Sequence, residues 1–330
     1  MEYFADLHVH IGRAQNKPVK ITASRNLTLD NIYDYCIDKK GIDIVGIVDC
    51  ASPVVIEEIQ RQLNEERIVP LPGGGARFKD KLTVLFGAEI ETTEAKGVAH
   101  SIAFFPFFEQ IKDFSQIMSE YITNINLSSQ KARLCAKDLL KVVQQLGGVL
   151  IPAHVFTPFK SFYGNCCDRL SFAFEEELDK VFSIELGLSA DTNFADTISE
   201  LSTKSFLSNS DAHSLEKIGR EYNKLELHFP DFENFISALK GIDGNRIVAN
   251  YGLDPKLGKY HRTFCTVCNY IAQGKLPVTK CPLCNSEDVT LGVFDRIALI
   301  ADFETPVHPE GRPQYFYQVP LEFIPEWVKR

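Results

Sequence analysis

Short apolar runs, most of them closing on a polar or ionisable residue, recur along the chain to about residue 240. Asp43-Ile44-Val45-Gly46-Ile47-Val48-Asp49, Leu82 to Glu89, Gly97 to Phe105, Gly148 to His154 and Val181-Phe182-Ser183-Ile184-Glu185 read as buried strands. Met1 to His10 reads as the first of the set. Between them lie stretches with helical character. Residues 30–40 carry Asp30 as a possible N-cap and Gly41 just past the end, and 53–65 continue the pattern. Residues 109–146 divide into one or two helices, the second spanning Gln130 to Gln145 and stopped by Gly147-Gly148. Residues 171–180 form a short acidic helix. Alternation of this kind predicts a parallel sheet or a β/α barrel, and the pattern does not separate the two. Gly73-Gly74-Gly75 lacks the Gly-Lys-Ser/Thr ending of a phosphate-binding loop and reads as a flexible loop.

The chemistry is concentrated at the ends of these runs. In Asp6-Leu7-His8-Val9-His10, residues two apart share a face, so His8 and His10 project together with Asp6 beside them. Two converging imidazoles are half of a metal site, and a nearby carboxylate commonly accepts the other ring N–H. The chain has only eight histidines. Of the others, His154 closes one run, His100 lies within another, and His213 stands in Ser210-Asp211-Ala212-His213 after Phe206-Leu207-Ser208-Asn209. Glu89 ends a further run. Strand ends are where a β/α barrel presents its catalytic groups.

Composition narrows the class. The chain of 330 residues suffices for a large domain and a small one, expected at 1–240 and 241–330. No apolar run approaches a membrane span and no signal peptide opens the chain. Nine cysteines without a secretory signal point to a reducing cytoplasm and to metal sites over disulfides. A net charge of -9 argues against an indiscriminate nucleic-acid coat protein, but not against a nuclease whose acidic residues hold cations.

Cys265-x2-Cys268 and Cys281-x2-Cys284, twelve residues apart, supply four thiolates for one tetrahedral structural Zn. From Lys256 to Ser286 there are five Lys or Arg and no acid, so this small module reads as a nucleic-acid contact surface, with Lys256, Lys259 and Arg262 as candidates. A knuckle that only braces the main domain is the other reading. Ile11 to Leu29 is basic and without acids, and its Arg13 and Lys20 could touch phosphates. Phe156, Phe159 and Lys160 follow His154, where aromatics could stack on an extruded base, although Phe is more often core.

The order His8-x-His10, Glu89, His100, His154, Asp211-x-His213 resembles that of the PHP (polymerase and histidinol phosphatase) metallo-phosphoesterases over about the first 230 residues. Within that superfamily the chain looks closer to the endonuclease Q family. The phrases that suggest it are Pro152-Ala153-His154-Val155-Phe156-Thr157-Pro158, Gly219-Arg220-Glu221-Tyr222-Asn223 and Gly252 to His261, followed by the cysteine cluster. The resemblance implies a distorted seven-stranded (β/α)7 PHP-type barrel with a C-terminal zinc-binding domain. It implies His8, His10, Glu89 and Asp211 around one ion, and Glu89, His100 and His154 around a second. A water activated between them would attack phosphorus, with Asp211 and Glu89 central and Arg220 offsetting charge. In all, two or three divalent ions (Zn, Mn or Mg) are expected, besides the structural Zn.

The usual acid after His-x-His is missing, and a motif that usually ends Asp-His reads Asp49-Cys50. A third ion, held through Asp49 and His213 with Cys50 as a further candidate, is therefore weakened. Glu185 could be a ligand or could orient one. The activity implied is cleavage of damaged DNA 5′ to deaminated bases (uracil, hypoxanthine, xanthine) and abasic sites. A small-molecule PHP phosphatase and a non-catalytic zinc-stabilised DNA-binding protein are the alternatives. Pro313 to Arg330 shows no evident closing element, consistent with a shortened form.

Overall fold

The first strand, β1 (Glu2–Val9), lies in the middle of a ten-stranded sheet because its residues from Ala5 onward are all buried. The computed structural model describes residues 1–258, 260–273 and 278–319. On one side β1 pairs in parallel with β2 (Ile44–Ile47), and further strands follow: β3 (Ile68–Pro70), β4 (Ala76–Phe78), β5 (Leu82–Glu94), β6 (Gly97–Phe105) and β7 (Val149–Pro152). β2 pairs in parallel with one edge of β5, whose other edge carries β4, and beyond it β3, along its first residues and β6 from Phe86 onward. β8 (Ser183–Glu185) and β9 (Ser205–Leu207) form a separate parallel pair. On the other side of β1 stand β10 (Tyr222–Glu226), β11 (Arg246–Gly252) and β12 (Gln314–Tyr317).

The fold is the expected mixed α/β type, with two differences. First, direction: β5 and β6 form an antiparallel hairpin across Ala95-Lys96, and β10 runs antiparallel to β1. An apolar run marks burial but carries no information about strand polarity. Second, closure: β1, β2, β5, β6, β7, β8 and β9 follow one another around an apolar interior containing Leu7, Ile44, Leu85, Phe104, Ile151 and Leu207. Among the described residues, no continuous backbone ladder joins β7 to β8 or β9 to β1, so the ring is not closed as a barrel. Single bonds bridge these gaps: Val155 N–H to the Glu185 carbonyl, Ala212 N–H to the His8 carbonyl and His10 N–H to the Ala212 carbonyl.

Side-chain amides fill the second gap. Asn209 Oδ1 accepts the Leu7 N–H at 3.1 Å and Asn223 Nδ2 at 2.9 Å. Asn223 Oδ1 takes the Ser208 N–H and Asn250 Nδ2, each at 2.9 Å, and Asn250 Nδ2 also reaches the Phe206 carbonyl at 2.9 Å. All three asparagines are buried, so these bonds satisfy groups that water cannot reach.

Helices α1 (Leu29–Tyr35), α2 (Pro53–Asn64), α3 (Phe108–Met118) and α4 (Ala136–Gln145) cover the outer face. Thr28, not Asp30, caps α1, and a wider turn Cys36–Lys40 carries it to Gly41. α4 starts later than Gln130 because 119–135 is irregular. Its Leu139, Leu140 and Val143 are buried, each contributing roughly 1.5–3 kcal/mol. The expected flexible loop at Gly73-Gly74-Gly75 is a packed turn: Gly73 and Gly74 carbonyls accept N–H groups from Glu233 and Phe232 at the start of α5 (Phe232–Lys240). The domain boundary expected at residue 240 coincides with the end of α5, yet β11 and β12 beyond it belong to the main sheet. β12 also supplies the element expected to be lacking after Pro313. Residues 320–330 lie outside the described residues.

Candidate metal centre and cavity

His8 lies near the end of β1 and His10 directly follows it, both rings fully buried. His8 Nδ1 donates to Glu185 at 3.0 Å, and His10 Nδ1 donates to Asp49 at 3.1 Å. Each ring is thereby turned so that Nε2 faces inward, and neither Nε2 has a hydrogen-bond partner among the described residues. Asp211 Oδ1 lies 3.5 Å from His8 Nε2 and 3.3 Å from His10 Nε2. Glu89 faces the same point, with Oε1 3.5 Å from His8 Nε2 and Oε2 3.6 Å from His10 Nε2. Its Oε1 also meets His100 Nδ1 at 2.6 Å and His154 Nε2 at 3.4 Å.

Two clusters result, His8–His10–Asp211 and Glu89–His100–His154, each with ligand atoms within 4.8 Å of one another. Orphaned, converging imidazole nitrogens beside carboxylates are the donor set of a divalent ion such as Zn or Mn. Glu89 faces both clusters. His154 and Asp211 reach them from left-handed backbone, at φ 31° and 45°, a region uncommon for non-glycine residues.

The charges support one another. Burial opposes protonation of His8, but the carboxylates of Glu185 and Asp211 outweigh it and raise its pKa well above the usual value. Burial alone would raise Glu89, yet His100 and Lys20 hold it well below the ordinary carboxylate range. Asp211 is likewise depressed by His8 and His10 against the effect of burial. Glu91 is lowered to about 2, chiefly by its hydrogen bond with His100 and by Lys160.

The structure redistributes several expected roles. Asp6 does not orient a histidine ring; it accepts the Ser210 and Gly219 N–H groups and holds that turn. Asp49 orients His10, its oxygens being engaged by His10 Nδ1, the Ile11 N–H and the Ser128 hydroxyl. Cys50 is buried, donates to the Ile47 carbonyl, and has its thiol pushed up by burial. His213 packs on His10 at 4.6 Å, with Nδ1 donating to the Asp211 carbonyl. Glu185 orients: besides His8 it takes the His154 N–H at 2.8 Å and Asn209 Nδ2 at 2.9 Å. Glu91, which no sequence signal singled out, bonds His100 Nε2 at 3.2 Å and Lys160 at 2.8 Å. Its only trace was its place in register with His100 across the hairpin.

A cavity of about 520 Å³ opens beside the clusters. Lys20, Lys160 and Arg220 line it; Lys20 Nζ sits 3.0 Å from Glu89, and Arg220 Nε donates to the Ser210 carbonyl. Phe159 is half exposed and stands edge-on to Tyr260, both lining the same space. Phe156 is not at the surface: it is buried and stacked on Tyr163, so its burial removes it from the expected DNA contacts. Arg13 sits in a two-residue pairing with Pro18 and does not line the cavity. Arg262 is engaged by the fully buried Asp295 at 3.0 Å, so it anchors rather than projects. Lys256 is exposed, and Lys259 lies outside the described residues.

The four cysteines meet, with Cys265 Sγ 3.6 Å from Cys284 Sγ and Cys268 Sγ 3.5 Å from Cys281 Sγ. Each knuckle ends on an asparagine in left-handed backbone, Asn269 and Asn285, whose N–H returns to the first cysteine's carbonyl. Helix α6 (Val293–Ile300) ties this module to the main body, Arg296 donating to the Tyr163 and Cys167 carbonyls.

A histidine–carboxylate set of this kind at strand ends of an α/β fold is that of a metal-dependent hydrolase. Residues 192–241 match the PHP-associated family model. The uncharacterized protein YqxK of Bacillus subtilis (strain 168) is 44% identical over 328 residues, spanning 98% of this chain and 82% of the relative. The uncharacterized protein MJ0043 of Methanocaldococcus jannaschii is 42% identical over 173 residues, 50% of this chain and 21% of its own length. Among solved structures, the lesion-specific endonuclease PfuEndoQ from Pyrococcus furiosus superposes with a TM-score of 0.85 at 32% identity, covering 100% of this chain and 79% of that one. Endonuclease Q in complex with a 27-mer duplex substrate carrying an abasic lesion at the active site gives 0.82 at 31% identity, over 97% and 77%. This chain belongs to the endonuclease Q family. Among the described residues, no helix is long and apolar enough to cross a membrane.

Proposed function

We propose that this chain is a DNA repair endonuclease that hydrolyses the phosphodiester 5′ to deaminated bases and abasic sites, with two divalent ions, Zn, Mn or Mg, at the two clusters that Glu89 faces. The observation that carries this reading is the adjacency of those clusters to a cavity of about 520 Å³, within the range of small-ligand pockets. His8, His10 and Asp211 would hold one ion, and Glu89, His100 and His154 the other. When bound, the ions supply Lewis acidity toward phosphoryl oxygens and a more acidic attacking water. The chain's own residues do the rest. Glu185 and Asp49 fix the ring orientations, and Arg220 and Lys20 place positive charge where the phosphate enters.

Phe159 and Tyr260 offer faces to an extruded base, and Leu188, Leu253 and Leu257 an apolar wall. Deamination replaces an amino group by a carbonyl, which a donor-only group such as the Arg220 guanidinium satisfies; an amino group there would meet donor against donor. The segment around the four cysteines, between β11 and β12, acts as the zinc-binding, DNA-contacting module with Lys256 and neighbouring basic residues, on one structural Zn. The compartment this suits is the cytoplasm, where DNA and reduced thiols coexist.

Short duplexes carrying one uracil, hypoxanthine or abasic site, beside undamaged DNA, with Mg²⁺ or Mn²⁺, test the reading. A single cut 5′ to the lesion is expected, with control DNA intact. Asp211→Asn should abolish cleavage while duplex binding, read by fluorescence anisotropy, stays. No cut in any duplex, together with phosphate release from small phosphomonoesters, would replace the reading by a small-molecule phosphatase.

A further inference from the structure

Glu221 belongs to neither metal cluster, yet it is completely buried. It follows the cavity-lining Arg220 and immediately precedes β10. Its Oε1 accepts the Leu253 N–H at 2.9 Å, and its Oε2 finds no hydrogen-bond partner among the described residues. Burial pushes its carboxyl up to about 8 against the Leu253 hydrogen bond and the Arg220 charge, so the group is largely neutral at pH 7. A buried carboxyl with a single bond is an expensive way to fill space.

Three chain segments meet at this carboxyl. Gly252 ends β11, and a Cβ there would lie 2.0 Å from Tyr315 Oη and 2.9 Å from Glu221 Oε1, so only glycine fits. Tyr315, in β12, donates to the Leu253 carbonyl at 3.4 Å. Gln318, just past β12, gives its N–H to the Gly252 carbonyl at 2.8 Å and its Nε2 to the Arg220 carbonyl at 3.1 Å. Leu253 opens the stretch in which Leu253, Leu257, Gly258 and Tyr260 form one wall of the cavity. The cation at the cavity edge and the apolar wall are thus pinned to one knot, which is separate from the metal clusters.

We propose that Glu221 is a positioning residue for the substrate: by holding the Leu253 amide it sets the wall of Leu253, Leu257, Gly258 and Tyr260 against Arg220 at the spacing that admits the extruded nucleotide. This rests on the nuclease reading of the cavity. Glu221 touches neither the metal ligands nor the reacting atoms, so it acts on substrate binding and leaves the hydrolytic step alone.

Steady-state cleavage of a uracil duplex by Glu221→Leu and Glu221→Gln tests this. Leucine keeps most of the volume and removes the acceptor; glutamine keeps the acceptor. Loss of one such bond should raise KM for Glu221→Leu by about tenfold, with kcat within about twofold, and Glu221→Gln should restore KM. A fall in kcat at unchanged KM, or a Glu221→Leu enzyme with wild-type constants, overturns the proposal. Hydrogen exchange of the 253–260 amides is measured on the same proteins without DNA. Faster exchange in Glu221→Leu alone is expected; wild-type protection there overturns the proposal even if the protein cuts no lesion duplex, which would count separately against the nuclease reading. If Glu221→Leu does not fold, Tyr315→Phe is the substitute: the same rise in KM at constant kcat supports the knot, and an unchanged KM overturns it.

Discussion

His154 and Asp211 hold backbone conformations that cost of order 1–3 kcal/mol each. Both are candidate metal ligands, and both stand just past a strand end where the chain must turn to present a side chain to the cluster. Glu221 carries a comparable cost in electrostatic form, and it makes stability depend on pH. Its folded-state pKa of about 8 exceeds the ordinary 4.5, chiefly through burial, so the folded state holds this proton more tightly than the unfolded chain. The corresponding stability is present below about pH 4.5 and is lost progressively up to about pH 8, above which it no longer changes, an effect of a few kcal/mol. Glu221→Gln should remove this slope. Urea melts of both proteins between pH 5 and 9, taken as a difference, check it, since parallel profiles would mean an ordinary carboxyl. At this scale the ligands were legible, because imidazoles and carboxylates closing apolar runs are rare enough to stand out. The orienting residues were legible only in part: Glu185 was open between ligand and orienter, whereas Asp49 was expected at a third ion and Asp6, two residues from His8, was expected to take a ring N–H, because orientation depends on which strand lies next door.

At the level of elements, burial was readable and polarity was not. The Leu82–Glu94 and Gly97–Phe105 runs look alike to any pattern, yet their two-residue link forces them antiparallel and puts Glu91 beside His100. Nor did the pattern disclose that β9 meets β1 through asparagines. The seam of Asn209, Asn223 and Asn250 is composed of residues that a sequence reading assigns to turns. Asn223 bonds Ser208, Asn209, Asn250 and the Ala5 carbonyl, so Asn223→Ala strands several buried groups at once. A loss of roughly 2–4 kcal/mol is expected from chemical denaturation, at the upper end for a surrendered hydrogen-bond cluster. A cost below about 0.5 kcal/mol, the level of a surface change, would show that the seam is dispensable.

Across the whole molecule, the cysteine spacing was the most legible feature, since CxxC pairs fix their own geometry. How the module is fastened was not legible: Arg262 reads as a DNA contact in sequence and is an internal tie to Asp295 in space. Cys281→Ser should therefore release bound Zn and melt the 260–292 module while leaving the main sheet folded. Duplex affinity should fall about tenfold or more, whereas the far-ultraviolet spectrum changes little. Unchanged affinity would reduce the module to a brace. The asparagine seam bears on the molecule in another way. The hydrogen bonds of a backbone ladder are made by main-chain groups that every residue but proline carries, so a side-chain substitution there leaves those bonds in place. The staves carrying Glu185 and Asp211 are instead held to β1 and β10 in large part by the identity of three amides. The placement of Glu185 and Asp211 relative to β1 is thus written partly at three codons, and single mutations there act on it while the ladders elsewhere in the sheet stay as they were.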